Sequence, residues 1–334
     1  MTSNNENLLE IDQLTISFRT DDGVVPAVTD ASFVVPVCKT LALLGESGCG
    51  KSVTGRAVMN FIETPGHHDR GAIRLRRDGG WVNILDLASD SEAMRSIRWK
   101  EVSMIFQDPL NSLTPAYTVG DQITEAILLH RDVTPAEARR VAIDLLNEVG
   151  VPAAERRIDD YPHQMSGGMC QRAMIAMALS CNPRLIIADE PTTALDVTIQ
   201  AQVLELLKKT QRQHQTSILL ITHDMGVVAE IADEVVVMYL GRIVEKGSVK
   251  DVFNHPKHPY TRQLFASIPR PDIDRGAPLP SIPGSVPDHM HIPQGCPFRG
   301  RCLEEMNICS REPKLKEVGP SHDAACWLYM DDNE

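Results

Sequence analysis

A chain of 334 residues with 43% hydrophobic and 23% charged content carries enough apolar material for one large α/β domain and a smaller companion, which excludes a disordered protein. Its net charge of −12 excludes binding to nucleic acid or anionic lipid through the overall field of the molecule. The opening M-T-S-N-N-E-N lacks the basic and apolar regions of a secretory leader, and no apolar run is long enough to cross a bilayer, so a cytoplasmic location is expected.

In chain order, residues 8–20 and 31–36 alternate as strands do, with Phe18 near the end of the first. Residues 41–52, L-A-L-L-G-E-S-G-C-G-K-S, then join a buried-strand pattern to a complete phosphate-binding loop built from Gly45, Glu46, Ser47, Gly48, Cys49, Gly50, Lys51 and Ser52. The glycines let successive N–H groups turn towards phosphate oxygens, and a helix beginning near Lys51 adds its positive end. Lys51 is placed to reach the β- and γ-phosphates of a nucleoside triphosphate, and the Ser52 hydroxyl to ligate Mg²⁺. Cys49, beside Lys51 at a helix N-terminus, is expected to be a reactive thiolate that bound Mg-ATP would protect.

Residues 73–77, the turn D-G-G and the run W-V-N-I-L predict a hairpin, which completes an antiparallel lobe. Thr134, Pro135 and Glu137 have the order of a capping box, followed by Val141, Leu145 and Val149 along one helix face until Gly150. In M-S-G-G-M-C-Q-R, Ser166 is an N-cap, and Gly167 and Gly168 expose backbone donors at a second phosphate-type helix end. The run R-L-I-I-A-D-E reads as a strand buried on both faces that ends in two carboxylates. There Asp189 can hold Mg²⁺ through water and Glu190 can take a proton from the water attacking the γ-phosphate.

The order of these motifs resembles the ATP-binding-cassette (ABC) family: the phosphate loop, Gln107 in M-I-F-Q-D-P, the S-G-G segment, Asp189-Glu190, P-T-T-A-L-D ending at Asp196, and I-T-H-D containing His223. The resemblance covers residues 8–255 and implies an α/β P-loop ABC ATPase with a RecA-like core, an antiparallel β lobe and an inserted helical subdomain over about residues 108–182. It further implies a head-to-tail dimer, with Lys51 and Ser52 of one subunit facing Ser166, Gly167 and Gly168 of the other across ATP. On that reading Gln107 senses Mg²⁺ and γ-phosphate, His223 orients water or stabilises transferred charge, Asp196 shapes the dimer interface and Phe18 is a candidate adenine platform. Met169 stands where the common signature has glutamine, which removes an amide but leaves the backbone donors.

Composition changes near residue 255. Ten of the 22 prolines lie between Pro256 and Pro297, so an extended connector is expected there. The phrase H-P-K-H-P-Y-T-R-Q-L and the tail over 256–334 resemble the C-terminal extension of ATPase subunits from dipeptide and oligopeptide importers. That likeness implies two membrane permease subunits, a second homologous ATPase forming a heterodimer, an extracytoplasmic solute-binding protein acting indirectly, and a position at the cytoplasmic face of the inner membrane, with no nucleic acid involved. Relatives of this type also serve nickel, glutathione and oligosaccharide transporters. The rival class is a soluble cassette ATPase in iron–sulfur assembly or DNA maintenance.

Cys296, Cys302, Cys309 and Cys326 follow the spacing C-x5-C-x6-C-x16-C in a polar segment, which favours metal ligation over disulfides in a reducing compartment. The spacing matches neither the close cysteine pairs of zinc sites nor ferredoxin runs, and leaves the metal open. The importer resemblance implies a [4Fe–4S] cluster on these four, with Zn²⁺ as the alternative. His289, His291 and His322 are nearby alternatives as ligands, read in preference as solvated loop residues.

Overall fold

The computed structural model describes residues 7–193, 195–267 and 281–330, with residues 110 and 111 as backbone only. The strands are β1 (Asn7–Thr20), β2 (Gly23–Pro36), β3 (Thr40–Leu44), β4 (Gly66–Arg77), β5 (Gly80–Asn83), β6 (Val102–Ile105), β7 (Leu185–Asp189), β8 (Ser217–Thr222), β9 (Glu234–Tyr239), β10 (Arg242–Ser248), β11 (Lys316–Gly319) and β12 (His322–Ala324). They form two sheets. An antiparallel lobe has the order β2-β1-β4-β5, and an eight-stranded sheet the order β11-β12-β10-β9-β3-β8-β7-β6.

β3, β7 and β8 are buried at every position, as a parallel strand covered on both faces must be. Alternate side chains enter separate cores. Ala42 and Leu44 face a cluster containing the helices Val119–His130, Pro135–Glu148 and Gly167–Leu179, while Leu41 and Leu43 join β1 and β2 of the lobe. Register brings Leu44 opposite Thr222 and Asp189 opposite Ile221, so the segments after β3, β7 and β8 leave the sheet side by side. Carboxyl ends of parallel strands are where such sheets bind ligands.

The capping box of Thr134 and Glu137 is present at the helix Pro135–Glu148. Its fully buried face is Ala138, Ala142 and Leu146, however, and Val141 and Leu145 lie only partly buried beside it. A second correction falls in the proline-rich stretch. Residues 259–266 are a helix, Pro259–Ala266, whose N-cap His258 accepts from Tyr260 N, in place of an extended connector. Residues 268–280 of that stretch lie outside the described residues. Beyond it the chain returns to the main sheet: β12 pairs with β10 and β11 with β12, while Phe298 and Trp327 enter the larger core.

Candidate active site

The loop after β3 is shaped by close backbone approaches. Gly50 adopts φ 99°, and a Cβ there would lie 2.3 Å from the Ala27 carbonyl oxygen, so only glycine fits. The helix Lys51–Val58 starts directly behind it. Lys51 is buried, and its Nζ donates to the carbonyls of Gly45 at 2.7 Å and Glu46 at 3.0 Å, curling the side chain back over the loop. The Ser52 hydroxyl donates to Asp189 Oδ1 at 2.9 Å. Burial pushes the Asp189 carboxyl up, with the Ser52 hydrogen bond opposing it. A hydroxyl and a carboxylate in contact, with the Gln107 amide lining the same cleft, form the oxygen-rich set that Mg²⁺ selects, so Ser52, Asp189 and Gln107 fit that ion.

Glu190 follows β7 with φ 48°, a left-handed conformation that is costly for a residue with a Cβ. Its N–H donates to Ile221 O at 2.8 Å, which anchors the bend to β8. One carboxylate oxygen accepts from His223 Nδ1 at 2.9 Å and the other from Thr193 Oγ1 at 2.6 Å. Burial raises the Glu190 pKa, but these two hydrogen bonds and the His223 charge outweigh it and hold the group below the usual carboxylate range. An ionised carboxylate, fixed at both oxygens and lining the same cleft as Lys51 and Ser52, is placed to receive a proton from water. Thr193 is absent from the sequence reading, and its signal was available: a hydroxyl three residues after a strand-end carboxylate.

Other expected residues are distributed differently. Ser47, Gly48, Gly50, Gln107 and Glu190 line the cleft, joined by Val25 and Ala27 of β2. Phe18 does not line it; it lies opposite Val25 in the β1–β2 register and packs in the lobe core, beside Gly66. Ser166 caps the helix Gly167–Leu179 by accepting from Met169 N, and Ser166 and Gly167 are exposed away from this chain's own cleft. Asp196 caps the helix Val197–His214 through Ile199 N at 3.0 Å. Cys49 is a correction: it is 4% exposed, and burial pushes its thiol up more than Lys51 lowers it, so it is no reactive thiolate.

The sequence profile described as ABC transporter matches residues 28–193, and one described as oligopeptide/dipeptide transporter, C-terminal region, matches residues 244–309. The dipeptide transport ATP-binding protein DppD of Bacillus subtilis is 47% identical over 324 residues, covering 97% of this chain and 95% of that protein. The chain belongs to the peptide-import ATP-binding proteins of the ABC transporter family. The oligopeptide transport ATP-binding protein OppD of Salmonella typhimurium is 45% identical over 325 residues, covering 97% and 95% of the two chains. Among solved structures, a dimeric bacterial ABC transporter cassette superposes with a TM-score of 0.64 at 24% identity, covering 72% of this chain and 98% of that one, and supports the fold. As an ABC ATPase, the chain hydrolyses ATP, with Mg²⁺ as the expected metal.

The extension of this ABC ATPase reaches the loop itself. Tyr260 accepts from Glu46 N at 3.0 Å, and Arg301 pairs with the Glu46 carboxylate at 3.0 and 3.3 Å. His289 is half-buried and docked instead of free in a loop: its ring nitrogens lie 2.9 Å from Pro26 O and 2.9 Å from Gly48 O. His322 is no solvated residue either, being buried with Nε2 2.7 Å from Glu245 Oε1. No sequence signal marks these contacts, since their partners lie 77 to 263 residues distant. Among the described residues no three His, Cys, Asp or Glu side chains form a group that could hold a metal ion. The four tail thiols are nevertheless gathered within electrostatic reach of one another, and each sulfur accepts a backbone N–H, from Phe298, Glu304, Met306 and Leu328 respectively. Burial pushes Cys296 up to about 12 and Cys326 up to about 11.

Proposed function

We propose that this ABC ATPase powers the uptake of di- or oligopeptides by hydrolysing ATP at the cytoplasmic face of the inner membrane. The observation that carries this is the likeness to DppD and OppD over 97% of the chain, extension included. Two permease subunits, a second homologous ATPase and, indirectly, an extracytoplasmic solute-binding protein complete the assembly. Among the described residues no helix is long and apolar enough to cross a membrane, which agrees with attachment through permeases. The soluble rival in iron–sulfur assembly or DNA maintenance is not favoured, because the C-terminal region matches the transporter profile.

The cassette spans residues 8–255, with its helical subdomain at about 108–182, and the extension 256–334. Lys51 leaves its carbonyl partners to meet the β- and γ-phosphates, and Ser52, Asp189 and Gln107 would hold the Mg²⁺ that supplies charge neutralisation there. Glu190 takes the proton of the attacking water as the new P–O bond forms and the bond to the β-phosphate oxygen breaks. His223 fixes the Glu190 carboxylate through Nδ1, and Gln107 links the cleft to the helical subdomain. The exposed Ser166 and Gly167 and the half-buried Gly168 face the nucleotide of the second ATPase, near Asp196, while Phe18 remains the candidate base platform. Cys296, Cys302, Cys309 and Cys326 would be the ligands of a [4Fe–4S] cluster, with Zn²⁺ as alternative; the backbone N–H at each sulfur would support thiolate ligands.

Reconstitution of the full assembly in liposomes tests the function: peptide-loaded solute-binding protein should stimulate both ATP hydrolysis and uptake of a labelled tripeptide. Stimulated hydrolysis with no peptide uptake would overturn the solute assignment. Chain purified without oxygen should hold about four irons and four sulfides; zinc alone would replace the cluster.

A further inference from the structure

Glu46 is held at every polar group it has. Its N–H donates to the Tyr260 hydroxyl at 3.0 Å, its carbonyl accepts from Lys51 Nζ at 3.0 Å, and both oxygens of its carboxylate accept from Arg301, at 3.0 and 3.3 Å. The next two residues, Ser47 and Gly48, line the nucleotide cleft. A loop suited to a polyanion thus begins with a carboxylate, and the cation that answers it comes from the extension. We propose that Arg301 is a positioning residue for ATP: it occupies the Glu46 carboxylate, leaves Lys51 available to the phosphates, and so makes nucleotide affinity depend on the extension.

Arg301 is fixed in place before any nucleotide arrives. Its side chain is 7% exposed, Nε donates to Pro283 O at 2.9 Å, and Nη1 donates to the Tyr239 hydroxyl at 3.2 Å as well as to Glu46. Each guanidinium nitrogen therefore has an acceptor. The buried rings of Tyr239, Tyr260 and Phe298 pack on one another with centroids 4.7, 5.2 and 5.4 Å apart, and the guanidinium carbon lies 5.7 Å from the Tyr239 centroid. A planar fork held in this way loses little freedom in meeting both oxygens of a carboxylate.

Taking the guanidinium away uncovers the Glu46 carboxylate, with two consequences for the cleft. A carboxylate binds an ammonium more strongly than a neutral carbonyl does, so Lys51 gains a charged acceptor on a residue it already touches and is withheld from the β- and γ-phosphates. The uncovered charge also repels the triphosphate, in surroundings that screen it less than bulk water. Both effects lower affinity for ATP, and neither needs a change of fold. Tyr260 still anchors the Glu46 backbone, so the loop keeps its place while its charge changes.

The inference rests on the chain binding ATP, and the experiment separates the two claims. Affinity of the full chain for trinitrophenyl-ATP with Mg²⁺ is measured under conditions in which denaturant unfolding shows each variant to be fully folded. Arg301→Ala should bind about tenfold more weakly than wild type, the effect of one uncompensated charge near the phosphates. Adding Glu46→Gln to that variant removes the charge without restoring the ion pair, and should return affinity to within about threefold of wild type. A role for Arg301 in packing alone predicts no such recovery. Arg301→Gln, a polar and uncharged replacement, carries the same comparison if the Ala variant does not fold. Wild-type affinity in the single variants, or a double variant as weak as its parent, overturns the proposal; no binding by wild type overturns the ATP reading instead.

Discussion

At the carboxyl ends of β3, β7 and β8, Lys51, Asp189, Glu190 and His223 sit directly on or just beyond elements that the hydrophobic pattern specifies. In the extension, by contrast, Tyr260, His289 and Arg301 make contacts to residues more than 200 positions away. The first region is positioned by strand register, and the second is positioned by pairing with the first. A site can thus be complete in its chemistry while part of its rigidity comes from a segment with no nucleotide motif of its own.

The comparison breaks most sharply at Glu190. If the strand-end carboxylate performs the proton transfer, Glu190→Gln should lower hydrolysis about 10²- to 10⁴-fold while ATP binding persists, measured in the assembly with the second ATPase's own site disabled. Near-normal turnover would move the base elsewhere. The extension's grip offers a smaller effect. Arg301 has only 7% of its side chain exposed, whereas Glu46 retains 25%, so Arg301→Ala should cost about 1–3 kcal/mol in denaturant unfolding by stranding a partly buried carboxylate. Arg301→Lys should recover only part, because a lysine cannot place a fork on both Glu46 oxygens. Unchanged stability in the Ala variant would make the extension a passenger on the loop.

The smallest effect lies within the loop. Cys38 is exposed and Cys49 buried, so brief alkylation followed by peptide mapping should label Cys38 at least about tenfold faster. Rapid labelling of Cys49 that Mg-ATP prevents would restore the reactive thiolate.

What the sequence made legible follows the range of the forces involved. The buried runs, the Thr134 and Ser166 caps and the hairpin β4–β5 depend on neighbours within a few residues, and they formed as expected. Glu190 was legible as a carboxylate at a strand end, but its left-handed backbone arises from the bond to Ile221 O in another strand, which no local pattern encodes. His289 and His322 looked like loop residues for the same reason: a polar side chain in a polar segment gives no sign of an acceptor elsewhere in the chain. The face of the helix Pro135–Glu148 was misplaced because larger apolar residues drew attention from Ala138 and Ala142, whose small size is what lets them face the core.

Glu245 gives the junction at residue 255 a practical meaning. Its carboxylate is fully buried in β10 and is satisfied by Lys257 N at 2.7 Å, His258 N at 2.9 Å and the His322 ring, all of them on the far side of that junction. A fragment ending at residue 255 would keep the acid and discard every one of those partners, and it would uncover the edge of β10 that β12 now covers. Cut there, the cassette becomes a chain with a bare sheet edge beside an unsolvated charge, prone to pair with its own copies; anyone trimming this protein for crystals should cut elsewhere.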